Sequence, residues 1–86
     1  MLYYPAILFP PDAMGLSGCI VPDLLVNASG SSPDEALRDA AAIMAELLDG
    51  MARKREPFPE PTAAEDLDLD GGTLVLLSAP LPSLAA

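Results

Sequence analysis

The sequence contains no histidine and no tryptophan, and its only cysteine is Cys19. Without histidine, Ser-His-Asp triads, Cys-His nucleophiles and HExxH metal sites are all excluded. A lone cysteine cannot form a disulfide within the chain, which is typical of proteins in the reducing cytoplasm. We therefore expect Cys19 to be a small buried hydrophobic side chain within a strand.

Basic residues are also scarce, with four against thirteen acidic ones, for a net charge of −9. Such a surface repels nucleic acid and attracts a basic protein. Three of the four bases, Arg53, Lys54 and Arg55, are consecutive. We interpret this cluster as the end of a helix, because cations are favoured near a helix C-terminus, with contact to phosphate or nucleic acid as the alternative.

Long apolar runs are absent, since none approaches the roughly 20 residues that span a bilayer. The N-terminus has no basic region ahead of an apolar one, so we expect no signal peptide, no membrane contact and a cytoplasmic location. Aromatic residues are few, which predicts an aliphatic core. The length predicts one domain, residues 1–80, followed by a short tail, residues 81–86.

The start of one helix is well marked. Ser32 is a predicted N-cap, Pro33 suits the first helical position, and Glu35 completes a capping box with Ser32. We expect the helix to end between Asp49 and Arg55. Its apolar stripe, with Leu37, Met44 and Leu48 as anchors, is formed by residues at helical spacing: Leu37, Ala40, Ala41, Met44, Leu47, Leu48 and Met51.

Four short segments have the composition of strands: residues 3–9, 16–21, 25–29 and 73–77. Pro5 favours an edge position or a late start for the first of them. The last is apolar on both faces, so we expect it to be paired internally or covered by a second subunit. Three strands before the helix predict an antiparallel meander. The fold class is then α+β, with two layers in the order β-β-β-α-β and a short last strand.

Four motifs in this order resemble the HicB family of antitoxin domains, over about residues 3–80. They are Tyr4-Pro5-Ala6, then Gly15 with the strand leading to Pro22-Asp23-Leu24, then Ser32-Pro33-Asp34-Glu35-Ala36-Leu37, and Pro57-Phe58-Pro59-Glu60-Pro61. The resemblance implies a truncated ribonuclease-H-like fold. It also implies that the chain binds a small basic HicA-like toxin, an mRNA-cleaving ribonuclease, and neutralises it by occluding its active site.

Two departures from the family pattern affect these expectations. Where the family commonly has Pro-Gly-Cys after Pro-Asp-Leu, this sequence has Leu25-Val26-Asn27, which leaves the entry into the third strand open. Many family members also carry a C-terminal DNA-binding domain, whereas this sequence continues only briefly after its last predicted strand. We therefore expect no operator binding by this chain alone.

No catalytic, cofactor or metal site is predicted. Asp12 and Asp23 lie in predicted loops, and Asp34 and Glu35 belong to the helix start, so nothing brings these carboxylates together for a metal nuclease. The run at residues 66–71 imitates the first half of an EF-hand loop, but Leu77 stands where the twelfth-position Glu is required. Alternation explains this run better, with its leucines facing inward and its aspartates facing water.

Two function classes stay open. The first is the toxin-neutralising domain, and the alternative is a stand-alone oligomeric interaction module with no toxin partner. In either case a core of this size favours self-association, with a homodimer expected first and a homotetramer next. The residues that contact a toxin are not identifiable from the sequence. The final Leu84-Ala85-Ala86 resembles the end of a bacterial degradation tag.

Overall fold

The computed structural model of the chain describes residues 2–80, which form one four-stranded antiparallel sheet and one long helix. The predicted tail, including Leu84-Ala85-Ala86, lies outside the described residues. The order of elements confirms the α+β prediction and the meander. The elements are β1 (Leu2–Leu8), β2 (Ser17–Val21), a 3₁₀ turn (Pro22–Leu24), β3 (Val26–Gly30), α1 (Pro33–Arg53), a second 3₁₀ turn (Ala64–Asp66) and β4 (Thr73–Ala79).

Strand β1 lies inside the sheet, whose order is β3-β2-β1-β4, so the edge position suggested by Pro5 is wrong for the strand as a whole. The reason is local. Strand β2 is paired with β1 only at Ile7 and Leu8 and leaves the sheet at Pro22, whereas β4 pairs along all of β1. At Pro5 the strand therefore has a paired neighbour on one side only, and this is where a missing N–H is tolerated.

Strand β4 differs from its prediction in length and in place. It has seven residues instead of five, and it forms an edge of the sheet with β1 as its neighbour. Its alternation is clear: Leu77 and Ala79 are buried on the helix side, whereas Leu74 and Leu76 are exposed on the opposite face. The prediction that β4 is paired on both sides within the sheet is thus wrong, because the described strand pairs only with β1.

Helix α1 begins as predicted, with Ser32 Oγ accepting a hydrogen bond from the Glu35 N–H at 3.2 Å. The reciprocal half of the capping box is absent, because the Glu35 carboxylate accepts a hydrogen bond from the Ser31 hydroxyl instead. The buried row follows a strict four-residue spacing. It consists of Ala36, Ala40, Met44, Leu48 and Ala52.

Two predicted anchors of the helix, Met44 and Leu48, are completely buried, but Leu37 is only half-buried at the border of the core. Small alanines at both ends of the buried row let the helix approach the sheet closely. On the sheet side the core is formed by the alternate residues that face α1. They are Tyr4, Ala6, Cys19, Val21, Val26, Ala28, Leu77 and Ala79.

The third strand begins one residue later than predicted, because Leu25 belongs to a tight turn. Its N–H donates to the Pro22 carbonyl at 3.2 Å, and its φ of 55° is left-handed. Leucine rarely adopts this conformation, and its side chain here is 91% exposed. The entry into the third strand, which the sequence left open, is thus a tight turn at Leu25 followed directly by the strand from Val26.

No helix in the part of the chain that the structure describes is long and apolar enough to cross a membrane.

Candidate functional site

The segment between the helix and the last strand, residues 54–72, is called the connector here, and it carries much of the charge. It contains six of the thirteen acidic residues: Glu56, Glu60, Glu65, Asp66, Asp68 and Asp70. All six are exposed, and no basic residue occurs after Arg55 in this segment. The prolines at its start hold the backbone extended, so that the chain cannot continue as a helix.

The start of the connector is fixed to the sheet by two aromatic residues. Phe58 packs against the core, and the Tyr4 hydroxyl donates a hydrogen bond to the Pro59 carbonyl at 2.6 Å. Tyr4 is itself 1% exposed. Burial, and secondarily the charge of Asp23, raise the pKa of Tyr4 above its ordinary value of 10.0. The hydroxyl therefore remains a donor throughout the physiological pH range.

A second attachment lies three residues further along. The Asp23 carboxylate accepts one hydrogen bond from the Thr62 N–H at 2.9 Å and another from the Thr62 hydroxyl at 2.5 Å. Asp23 is placed for this contact by the 3₁₀ turn that ends β2. Because hydrogen bonds to a carboxylate are stronger than those between neutral groups, this pair holds the middle of the connector at the end of the sheet.

The end of the connector alternates as predicted. Leu67 and Leu69 are half-buried and the aspartates are exposed. The Asp68 carboxylate accepts a hydrogen bond from the Asp70 N–H at 3.0 Å, which is a local turn contact. Asp70 and Gly71 then take left-handed conformations, with φ of 47° and 84°, and lead the chain into β4. The run is thus a turn with a local carboxylate contact.

Fixing an acidic segment at two points has a physical consequence. A free chain of six like charges pays conformational entropy on binding, whereas an attached one presents its carboxylates already arranged. Six like charges within fifteen residues also create a local negative potential, which accelerates encounters with a cationic partner. The connector is thus suited to contact a basic protein surface and is unsuited to contact phosphate.

The other carboxylates considered from the sequence serve separate local structures. Asp12 accepts hydrogen bonds from the N–H groups of Met14 and Leu16 and so shapes the loop after β1. Asp34 and Glu35 lie in the first turn of α1, and Asp23 is engaged by Thr62. Within residues 2–80, no group of three or more Asp, Glu or Cys side chains is arranged to hold a metal ion.

The basic cluster lies at the C-terminal end of α1, as its helix-end interpretation requires. Arg53 is in the last turn and pairs with Asp49 one turn earlier, while Lys54 is the C-cap. Arg55 follows in a left-handed conformation with φ of 59°. All three side chains are exposed.

Two residues of the candidate site, Tyr4 and Thr62, are not indicated as such by the sequence. Their partners Pro59 and Asp23 are 55 and 39 residues away along the chain. A periodic pattern of neighbouring residues cannot indicate a contact over such a distance. The only signal was indirect, since Tyr4, Asp23 and Pro59 all fall within the motifs that resemble the antitoxin family. Cys19, by contrast, is fully buried in β2 as predicted, and burial raises the pKa of its thiol.

Solved structures provide the comparison with known proteins. The chain superposes on the antitoxin HicB of Burkholderia pseudomallei with a TM-score of 0.80 and 21% identity, over 94% of this chain and 65% of that one. It also superposes on the isolated N-terminal domain of that antitoxin, with a TM-score of 0.80 and 19% identity, over 93% and 100% of the two chains. No family model and no curated protein matches the sequence. The chain therefore has the fold of the HicB N-terminal domain and spans less than two thirds of the solved chain of the antitoxin HicB.

Proposed function

We propose that this chain, with the fold of a HicB N-terminal domain, is an antitoxin domain that binds a small basic HicA-like toxin. Binding neutralises the mRNA-cleaving activity of the toxin by covering its active site. The chain contributes no catalysis of its own. Because such a toxin acts on mRNA, a cytoplasmic location belongs to the same proposal.

One observation carries the proposal: the connector presents six exposed carboxylates and no base between residues 56 and 70, and it is attached to the sheet at two points. A ribonuclease must present cationic groups to the phosphates of its substrate. Carboxylates placed on that cationic surface occupy the positions that phosphates would take. An antitoxin that works in this way needs an ordered anionic surface, which is what the connector provides.

The solved structures that resemble this chain support the antitoxin proposal by an argument that does not use charge. Both are described as the antitoxin HicB or its N-terminal domain, and the second matches over its whole length. The shared part is therefore the N-terminal domain. The alternative of a stand-alone interaction module uses the same fold without a toxin.

Co-expression tests the proposal directly. The probe is the product of the neighbouring gene, if that gene encodes a small basic protein. We expect the two chains to co-purify and the growth defect caused by the toxin alone to be relieved. Failure to co-purify, together with unrelieved toxicity, would favour the stand-alone module.

Charge reversal on the connector tests the surface. The variant Glu65→Lys/Asp66→Lys changes two exposed side chains that make no side-chain hydrogen bond in the described structure. The control Asp39→Lys/Glu46→Lys makes the same change of charge on exposed positions of α1. We expect the connector variant to slow association with the toxin at least about tenfold, and the control variant to slow it much less.

Salt provides a second readout. The Debye length falls from about 10 Å at 0.1 M to about 3 Å at 1 M ionic strength, so steering by the connector weakens. We expect the association rate to fall markedly over this range and the dissociation rate to change less, since dissociation reports on packed contacts. Equal effects of both double variants on association would contradict a role specific to the connector.

A further inference from the structure

Leu25 combines two properties that seldom occur together in a folded chain. Its side chain is 91% exposed, the largest exposed fraction among the large apolar residues of the described part of the chain. Its backbone is left-handed, with φ of 55° and ψ of 31°. A single exposed apolar side chain is ordinary on a protein surface, but a bulky apolar residue at positive φ is an outlier.

The internal structure of residues 2–80 gives no reason for a leucine at this position. The turn requires only a backbone contact, in which the Leu25 N–H donates to the Pro22 carbonyl. Glycine or asparagine would make the same contact with less strain. The side chain does not belong to the buried core. Backbone strain that brings no burial is typical of positions where the side chain serves a function.

Leu25 lies beside an attachment point of the connector. Asp23, whose carboxylate accepts both hydrogen bonds from Thr62, precedes Leu25 by two residues, so the Cα atoms of Asp23 and Leu25 are at most about 7.6 Å apart. On the connector, Thr62 is flanked by the exposed carboxylates of Glu60 and Glu65. The most exposed large apolar side chain and the acidic segment therefore lie at the same end of the sheet.

We propose that Leu25 is the apolar contact by which this chain holds the basic toxin, inserted into an apolar pocket of that protein while the connector contacts the basic surface around it. The inference rests on the proposed function and adds the residue that slows dissociation. Protein interfaces have an apolar centre and a polar rim, and both lie side by side here. Charge identifies the partner, since a second acidic copy would bring like charges together around Leu25, whereas a basic protein brings opposite ones.

The two parts of this surface should affect different rate constants. Charges act at a distance and steer the encounter, so the connector acts mainly on association. A leucine side chain acts only at contact, where its burial removes apolar surface from water, so Leu25 acts mainly on dissociation. Complete burial of a leucine corresponds to a change of about tenfold or more in an equilibrium constant.

Binding kinetics with the small basic product of the neighbouring gene test the proposal. Leu25→Gly removes the side chain, and Leu25→Met keeps an apolar side chain at the same position. Met14→Gly is the matched control, because Met14 is 84% exposed in the loop before β2, whereas Leu25 follows that strand. We expect Leu25→Gly to raise the dissociation rate constant about tenfold or more and to change the association rate constant less than about twofold. Leu25→Met and Met14→Gly should both dissociate as slowly as the wild type.

Urea denaturation of the free chain separates binding from folding. Because glycine adopts positive φ without strain, the urea midpoint of Leu25→Gly should be no lower than that of the wild type. A weaker complex formed by an equally stable chain then reflects the lost contact. If the glycine loosens the turn and lowers the midpoint, Leu25→Asn decides the outcome by the same kinetic measurement, since asparagine tolerates the left-handed conformation.

The inference and the proposed function fail in different ways. If the wild-type chain does not bind the basic protein, the proposed function fails and the role of Leu25 fails with it. If the wild-type complex forms but Leu25→Gly and Leu25→Asn dissociate as slowly as the wild type, Leu25 is not the apolar contact although the toxin is bound. A change in the sedimentation of the free chain caused by Leu25→Gly would mean that Leu25 contacts a second copy, which also overturns the inference.

Discussion

The sheet and the connector differ in almost every physical respect. The sheet contains no charged side chain, and its strands are held by non-local pairing and by a buried apolar face. The connector has six acidic residues, no strand pairing, and a small number of specific attachments through Tyr4, Asp23 and Phe58. The contrast teaches that one small domain can keep every charged side chain out of its strands and place six of its thirteen acidic residues in a single attached segment.

This separation has an energetic basis. Apolar burial stabilises the sheet and the helix, because it scales with area and needs no particular direction. An acidic segment cannot be buried, so it can be ordered only by contacts at its margins. We therefore expect substitutions in the two regions to differ in how much stability they remove and in which part of the chain they affect.

The largest effect is expected where the helix meets the sheet. Leu48→Ala removes a completely buried side chain and should lower the free energy of unfolding by about 2–5 kcal/mol. Leu67→Ala, at a half-buried position of the connector, should cost less than about 1.5 kcal/mol. Urea denaturation of both variants measures the difference. Similar losses would mean that the connector is part of the main core.

A second comparison uses two glycines. A Cβ atom on Gly72, at the junction of the connector and β4, would lie 2.5 Å from Ile7 Cγ2 and 3.1 Å from the Leu8 carbonyl oxygen. Gly72→Ala should therefore destabilise the fold by about 1–3 kcal/mol. Gly50, in the last part of α1, has nothing within 4 Å of such an atom.

The same substitution at Gly50 should act in the opposite direction. Gly50→Ala is expected to stabilise the protein by about 0.5–1 kcal/mol, since alanine favours the helix. Thermal melts of both alanine variants, beside the wild type, give the two signs. A destabilised Gly50→Ala protein would show that this part of the helix needs the freedom of glycine.

A smaller effect is expected from the attachment of the connector. Thr62→Val removes the hydroxyl that donates to Asp23 and keeps the backbone N–H contact, so it should cost about 0.5–1.5 kcal/mol. Amide hydrogen exchange should accelerate in residues 56–70 while the strands remain protected. Thr73→Val is a suitable control, because it makes the same change at an exposed position on β4. Uniform acceleration across the sheet would contradict an attachment that is local.

The smallest effect concerns pH. Because the pKa of Tyr4 is raised above 10.0, its contribution to stability is complete below that pH and is lost as the pH rises through the folded-state pKa. Spectroscopic titration of the folded chain should show one tyrosine ionising above the ordinary value, and Tyr4→Phe should remove it. If the ionisation that Tyr4→Phe removes occurs at the same pH in the folded chain and in urea, the Tyr4 hydroxyl is not buried against Pro59.

Much of the fold was predictable because the relevant signals are local. The Ser32 cap, the helical spacing of Met44 and Leu48, and the alternation of Leu67 and Leu69 each involve residues a few positions apart. The wrong predictions concern features that depend on contacts between segments far apart in the sequence. The internal position of β1 depends on where β4 returns, and the half-burial of Leu37 depends on which row of the helix the sheet contacts.

Local sequence signals were sufficient to predict the order of elements, the start of the helix, the exclusion of histidine chemistry and the acidity of residues 56–70. The edge position of β4 and the attachment of the connector through Tyr4 and Asp23 became apparent only in the folded chain. The two sets of features differ in the distance along the chain over which their interactions act. Caps and periodicities act within a few residues, whereas strand order and contacts across 39 or 55 residues exist only once the chain has closed those loops.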